Sequence, residues 1–487
     1  SVCSFFVLGD LEVSMRGGWT GAMRTLGIAA GGLALWTICA SADDNWPQFR
    51  GPGSRGVSED RDLPEVWSRT ENVAWATKVD GRGWSSPIVW GDKVFVTSAV
   101  QVGGDVEKVK PGLYFGGERK TPKVPYRDIV VCIDFNSGKI LWQKTAFEGV
   151  PKFGHHLKNT MASETPVTDG ERLYAYFGNV GLFAYDFDGN EKWNRPLGAY
   201  PMANNWGTAS SPALYDGRIY IVDDNEKQSF LSAIDAATGK ELWRKDRQEK
   251  SNWATPYVWK NEQRTEIVTC GRNRVRSYDL DGKLLWQLDG MSQIVIPTPF
   301  SADGLLYVTS GYVLSQKKPL FAIKPGASGD ISLDAKKKET SNAHIAWANL
   351  MSGPYNVSPV LYKDVIYVLY DRGSLSAFDA RTGKALYDPP QHRVGTSGHY
   401  TASPWAYNDK IFCLSEEGQT LVIQAGGTKP KVVHKNELDE LCMASPAIAR
   451  GSLFIRTESQ LYRIASKSRL AANNPTAATN MASSAAP

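Results

Sequence analysis

The 487-residue chain is 42% hydrophobic and 22% charged, the balance of a soluble globular protein long enough for a sizeable core. A formal net charge of +4 over that length supplies no concentrated basic footprint and argues against nucleic-acid binding. The six cysteines show no metal-ligand spacing, so a zinc module is excluded.

In chain order, Met23-Arg24-Thr25 opens a short basic start, 26–39 is apolar, and Ala40-Ser41-Ala42 has the small-residue pattern of a cleavage site. Residues 1–42 are therefore expected to be a signal peptide. Within them 1–22 lacks signal character and reads as an extended start. Asp43 is the expected first residue of an exported protein, periplasmic or secreted. The apolar run is shorter than the roughly 20 residues of a membrane span, so no transmembrane segment is expected. Cys39 follows Trp36-Thr37-Ile38 rather than a small residue, which argues against a lipid anchor. Residues 43–71 form an N-terminal segment expected to pack on the fold. Its Asn45-Trp46-Pro47-Gln48-Phe49-Arg50-Gly51-Pro52 phrase carries aromatics to hold it across the ring, with Arg50 within reach of a channel mouth. Residues 72–79 then read as an orphan strand bearing Trp75.

From there a Ser/Thr-Pro pair opens a strand-like run eight times, at Pro87, Pro166, Pro212, Pro256, Pro299, Pro359, Pro404 and Pro446. Five of the seven gaps fall between 42 and 46 residues, the period of a four-stranded propeller blade. The two long gaps are one period plus polar insertions, placed at 101–127 and 314–343. Units that cannot bury their own faces must stack on neighbours. The expected fold is all-β: an eight-bladed β-propeller of four-stranded antiparallel blades over 72–466, with a disordered tail at 467–487. The last unit holds three strands, so the 72–79 strand is expected to complete it and close the ring.

Each repeat ends on its most specific phrase. It reads Asp134-Phe135-Asn136-Ser137-Gly138-Lys139-Ile140-Leu141-Trp142 in the first unit and Asp235-Ala236-Ala237-Thr238-Gly239-Lys240-Glu241-Leu242-Trp243 in the third. The second and fourth units end one residue shorter, at Trp193 and Trp286, the sixth carries Tyr387 instead, and the last two lack the phrase. These lines resemble the tryptophan-docking repeat of the pyrroloquinoline-quinone (PQQ)-like, quinoprotein alcohol dehydrogenase-like superfamily. That group includes the outer-membrane-assembly lipoprotein propeller. The Trp46–Pro52 opening is similar to exported PQQ-like repeat proteins of planctomycete-type bacteria. The resemblance implies that Trp75, Trp142, Trp193, Trp243, Trp286 and Trp347 are structural docking residues, buried between blades.

Function then falls to the channel, whose mouth is built by residues just before each Ser/Thr-Pro. The ligand-binding candidates are Trp84, Lys158, Asn159, Glu164, Asn205, Trp206, Asn252, Trp253, Asn356, His399 and Tyr400. Aromatic plates with amides and a few charges suit a flat polar ligand such as a quinone or a sugar. Capping of turn backbones is the competing role for the same residues. His155 and His156 point to opposite sides of an extended chain and could hardly share a metal. Asp223-Asp224-Asn225-Glu226 lacks the pattern of a calcium loop and reads as a solvated hairpin tip. Cys132, Cys270, Cys413 and Cys442 are expected as buried free thiols. Two function classes stand: a non-catalytic exported monomer that binds a protein or small polar ligand, which is preferred, and an oxidoreductase using PQQ with calcium. No catalytic residue and no metal ligand is assigned.

Overall fold

The computed structural model describes residues 45–112, 117–395 and 398–472. The expected signal peptide, Cys39 and Asp43 lie outside them. The chain forms eight sheets arranged as consecutive blades, seven with four strands and one with five. Within a blade the strands follow chain order from the channel outward. In blade three they are Ala213–Tyr215, Arg218–Asp223, Ser229–Asp235 and Glu241–Arg247. No described helix is long and apolar enough to cross a membrane.

The ring closes as the sequence implies. Strand Val73–Lys78 pairs antiparallel with Gln460–Ala465, from Val73 opposite Ile464 to Lys78 opposite Gln460, and becomes the outer strand of blade eight. Both exposed edges are thereby removed.

The docking phrase works by contact with the next blade. Trp75, Trp142, Trp193, Trp243 and Trp347 donate their indole N–H to the carbonyls of Phe135, Phe187, Ala236, Leu280 and Ala380, each one residue past the Asp that opens the following turn. The same turn lays its glycine on the indole. A Cβ at Gly239, whose φ is 71°, would sit 2.6 Å from Trp193, so only glycine satisfies both the turn and the close approach. Burial of these tryptophans is uneven, which corrects the expectation. Trp75, Trp286 and Trp347 are buried, whereas Trp142, Trp193 and Trp243 are half-buried at the rim. Trp286 also departs in its partner. Blade five offers no docking turn at this place, and the indole instead donates 2.6 Å to Glu266 of its own blade.

The 314–343 insertion is divided rather than a single loop. It contains the third strand of blade five, Leu320–Ile323, and a short strand Gly329–Asp330 that extends blade four in parallel. In blade one the connection is 102–125, between Lys93–Gln101 and Tyr126–Asp134. The Asp223–Asn225 run is not a solvated tip. All three residues are buried, and the Asp224 carboxylate receives the Arg247 guanidinium at 2.8 Å. The expected tail begins with a helix, Lys467–Ala472, whose Arg469 pairs with Asp62 at 3.0 Å. The remainder of the tail lies outside the described residues. Cys132, Cys270, Cys413 and Cys442 are buried free thiols.

Trp286→Ala is expected to cost about 3–5 kcal/mol, as for other fully buried aromatics, and Trp193→Ala less, because its ring already meets water. Chemical denaturation of both variants checks this. Equal losses would contradict the uneven burial.

Candidate functional site

The Ser/Thr-Pro pairs build the channel wall. The backbone N–H of Ser86 donates to Thr165 Oγ1 (2.9 Å), that of Thr165 to Ser211 Oγ (2.9 Å), and that of Ser211 to Thr255 Oγ1 (3.1 Å). The N–H groups of Thr298, Ser358 and Ser403 donate in the same way to Ser358, Ser403 and Ser445, at 3.0, 3.0 and 2.9 Å. At six of the eight junctions an inner strand is thus stitched to the next by the hydroxyl that precedes its proline. Proline follows because it has no N–H to leave unsatisfied and suits an inner strand's first position.

One end of this channel is closed by the N-terminal segment. Trp46 pairs with Val89 in blade one, and Thr168 of blade two donates to the Pro47 carbonyl. Farther on, Ala406 of blade seven donates to the Gly56 carbonyl and Ser58 to that of Ala406. These partners lie three residues past the Ser/Thr positions, so the strap crosses below the ring. Arg50 is buried there, not at the mouth. Its guanidinium donates to the carbonyls of Ser54, Arg55, Ser358 and Pro359, at 3.1, 3.1, 3.0 and 2.7 Å. The last two belong to blade six, opposite blade two in the ring. With no carboxylate partner, burial lowers the Arg50 pKa to about 9. Gly51 is required beside it, since a Cβ would lie 2.5 Å from the Trp46 ring.

Above the strap is a cavity of about 500 Å³ with Phe49 in its wall. Six of the sequence candidates line it: Trp84, Lys158, Asn159, Trp206, Trp253 and Asn356. Trp206 and Trp253 come from neighbouring blades and lie 6.0 Å apart at 39°, each fixed by an indole N–H bond, to Gly117 and Gly207. His156 meets Trp206 edge-on at 5.2 Å. Burial, then Lys158, lowers its pKa to about 4, so the imidazole is neutral. His155 instead bonds through Nδ1 to the His156 carbonyl, and the pair shares no site.

The other candidates do not reach the cavity. Asn205 caps the turn at Gly154 and donates to the Arg119 carbonyl. Asn252 accepts from the Val295 N–H and donates to the Lys250 carbonyl. These two carry out the backbone capping that competes with binding at such positions. His399 pairs with Glu417 at 3.2 Å, and Tyr400 is packed in the core against Gly373. Glu164 is buried behind the wall, where Thr208 Oγ1 donates to it at 2.6 Å.

Glu416 is the neighbour of Lys158 that sequence reading missed. It is fully buried, forms an ion pair with Lys158, and accepts from Thr401 Oγ1 at 2.6 Å and the Gly112 N–H at 3.0 Å. It sits in Ser415-Glu416-Glu417-Gly418, which reads as an ordinary polar turn. A signal did exist. Asp224, Asp371, Glu416 and Glu458 all stand five residues after the first buried apolar residue of a blade's second strand, namely Ile219, Ile366, Ile411 and Leu453. Asp371 is held alike, accepting the Asn356 N–H at 3.0 Å, and burial raises its pKa.

The hydroxyl ring gives the cavity its chemistry. Thr165, Ser211, Thr255, Thr298, Ser358, Ser403 and Ser445 all line it. Six of them accept a neighbour's N–H, and none donates to a protein acceptor among the described residues. Their O–H groups therefore face the cavity as donors, beneath a tryptophan pair.

Fold and channel define an eight-bladed propeller of the PQQ-like repeat class. A family model described as outer membrane protein assembly factor BamB matches residues 126–289 and 227–470, together most of the chain, and the protein belongs to that family. A curated relative, the outer membrane protein assembly factor BamB of Moranella endobia (strain PCIT), is 26% identical over 189 residues, 38% of this chain and 44% of the relative. The match thus spans less than half the relative's length. BamB from Moraxella catarrhalis superposes with a TM-score of 0.52 at 13% identity, over 80% of this chain and 99% of that one. The quinohemoprotein alcohol dehydrogenase from Comamonas testosteroni gives 0.57 at 11% identity, over 87% and 81%. At such identities the two structures show a shared fold.

Burial pushes the Glu164 carboxyl up to about 7, with the Thr208 hydroxyl and backbone N–H bonds opposing. A carboxyl whose folded pKa exceeds its unfolded value binds more protons when native. Its contribution is full below the unfolded value, near 4.5, and is lost as pH rises through about 7. Glu164→Gln keeps an acceptor for Thr208. It is expected to be more stable than the native protein by roughly 1–3 kcal/mol at about pH 8 and equal to it at about pH 4. Denaturation at both pH values checks this, and a difference independent of pH would contradict it.

Proposed function

We propose that this protein is an exported, non-catalytic, monomeric propeller that works by binding through its channel mouth. The ligand is a small polar molecule with a flat face and several hydrogen-bond acceptors, or such a group presented by a protein partner. The observation that carries this reading is the seven lumen-facing hydroxyls set below the Trp206–Trp253 pair. Donors ring the depth of the cavity, flat apolar surface stands above them, and the strap crosses the ring with Phe49 in the cavity wall. A cavity crossed by such a strap suits holding rather than passage. The family's description as an outer membrane protein assembly factor supports a protein partner and a place outside the cytoplasm, and the signal-like 23–42 stretch supports export.

The alternative, an oxidoreductase using PQQ with calcium, is less well served. Trp206 and Trp253 offer a floor for a quinone, and Lys158 lines the same cavity. Glu164, the carboxylate a calcium shell would need, lies off the wall with Thr208 on it. Among the described residues no three His, Cys, Asp or Glu side chains group to hold a metal. The residues present do not fit the calcium-bound cofactor.

Native mass spectrometry of protein exported from a bacterial host tests the binding reading. The native chain is expected to retain a small-molecule adduct or partner that Trp206→Ala and Trp253→Ala lose, with unchanged circular dichroism. Stacking on each ring is worth about 1–3 kcal/mol. No bound species, or equal retention by all three proteins, would contradict it. A quinone absorption band after incubation with PQQ and calcium would favour the oxidoreductase.

A further inference from the structure

Blades one and two enclose a second, smaller cavity of about 60 Å³, outside the channel. Its lining includes the start of one strand, Tyr126, the end of the next, Phe147 and Gly149, and the turn 177–180 of blade two. These termini all lie on the face that carries the channel mouth. Three rings, Tyr126, Phe147 and Phe177, form the walls together with Met161.

The polar part of the lining is unusual. Asp128 is 5% exposed, and its Oδ1 is shielded from solvent without a hydrogen-bond partner. The Oδ1 of Asn179, in the same lining, is also shielded and unpartnered. No Lys, Arg or His among the described residues forms an ion pair with Asp128, including Lys152 at the rim. Burial and the nearby Glu164 carboxylate raise the Asp128 pKa to about 8, and once ionised above that pH it leaves two buried acceptors without a donor, an expensive arrangement. A cationic donor relieves both.

The walls narrow the choice of cation. A hard divalent ion takes six or more oxygens, and the side chains of this lining offer only those of Asp128 and Asn179 and the Tyr126 hydroxyl, which is turned to Gln101. A guanidinium brings five donors in a rigid plane, more than the two acceptors can meet. A primary ammonium brings three donors on a slim apolar stem. Its N–H groups satisfy Asp128 and Asn179, its charge lies against aromatic faces, and its methylenes lie against Met161. The cavity has room for such a head group and not for a whole metabolite.

We propose that this inter-blade pocket is a second binding site, specific for a primary alkylammonium group, supplied by a free amine or by a lysine side chain of a partner protein. Phe147, 40% exposed, stands at its entrance. The site lies outside the channel, with Glu164 between the two.

Calorimetry on the full exported chain tests this at about pH 9. That lies above the value near 8 to which burial and Glu164 push the Asp128 carboxyl, and below the pKa of an alkylammonium. The probes are butylammonium chloride, N-acetyl-lysine methylamide and, as neutral control, 1-butanol. Saturable binding of an ammonium probe is expected, with none of the alcohol. Asp128→Asn should weaken it by about tenfold or more, the loss of one charge-assisted bond. Phe147→Ala, at the exposed rim where folding is not at stake, should weaken it as well. Tighter binding of the lysine derivative than of butylammonium supports the proposal with a protein lysine as the source, and the reverse order supports it with a free amine. Absence of saturable binding, or equal affinity in the native, Asp128→Asn and Phe147→Ala proteins, would overturn it. Binding seen only in Lys152→Met would make Lys152 the occupant and overturn it too.

Discussion

The structure depends on one repeated hydrogen bond, from the backbone N–H of one inner strand to the Ser or Thr hydroxyl that opens the next. Eight inner strands converge on a narrow channel, where their backbones cannot all pair as in a sheet. Each buried N–H there must find an acceptor or carry a cost of about 1–3 kcal/mol. The hydroxyl supplies that acceptor at six junctions, between 2.9 and 3.1 Å. The arrangement has a chemical consequence. A hydroxyl that accepts from protein keeps its own proton, and here the cavity is the place left for it. Closing the ring and lining the cavity with hydroxyls are the same act.

The outer edge is held by different means. At five of the eight junctions an indole N–H bond and a glycine turn lock a blade to its successor, as Trp193 does with Ala236 and Gly239. Where the following blade lacks the turn, Trp286 turns inward to Glu266 and a fifth strand, Gly329–Asp330, covers the outer edge of its blade. The strap then spans the ring from blade one through blade two to blades six and seven. Arg50 serves as its anchor because a guanidinium, with donors in a fixed fork, can satisfy four carbonyls at once. A lysine at that place could not.

Much of this was legible in the chain. The 42–46-residue period gave the blades, and the missing fourth strand after Gln460 gave the closure by 73–78. Local pattern suffices for both because each blade is built from neighbouring residues. The site was legible in part. Trp84, Lys158, Asn159, Trp206, Trp253 and Asn356 meet in the cavity because equivalent positions in a ring converge. Asn205, Asn252, His399 and Tyr400 share those positions but turn aside to cap a backbone, pair with a neighbour or fill the core, choices set by side-chain rotamer and not by spacing. The contacts of Glu416, and the place of Arg50 away from the mouth, were hidden for another reason. Their partners, Lys158 and the blade-six carbonyls, lie hundreds of residues away, and a charged residue in a polar or Gly-Pro-rich stretch looks solvated until those partners are in place.

The hydroxyl ring can be tested by comparing two serines that look alike in sequence. Ser211 Oγ accepts the Thr165 N–H, whereas the Ser86 hydroxyl has no partner. Equilibrium denaturation of Ser211→Ala and Ser86→Ala measures the difference. If the hydroxyls hold the channel wall, Ser211→Ala loses about 1–3 kcal/mol by orphaning a buried N–H, and Ser86→Ala loses close to nothing. Equal stability of the two variants would show that the wall stands without these bonds.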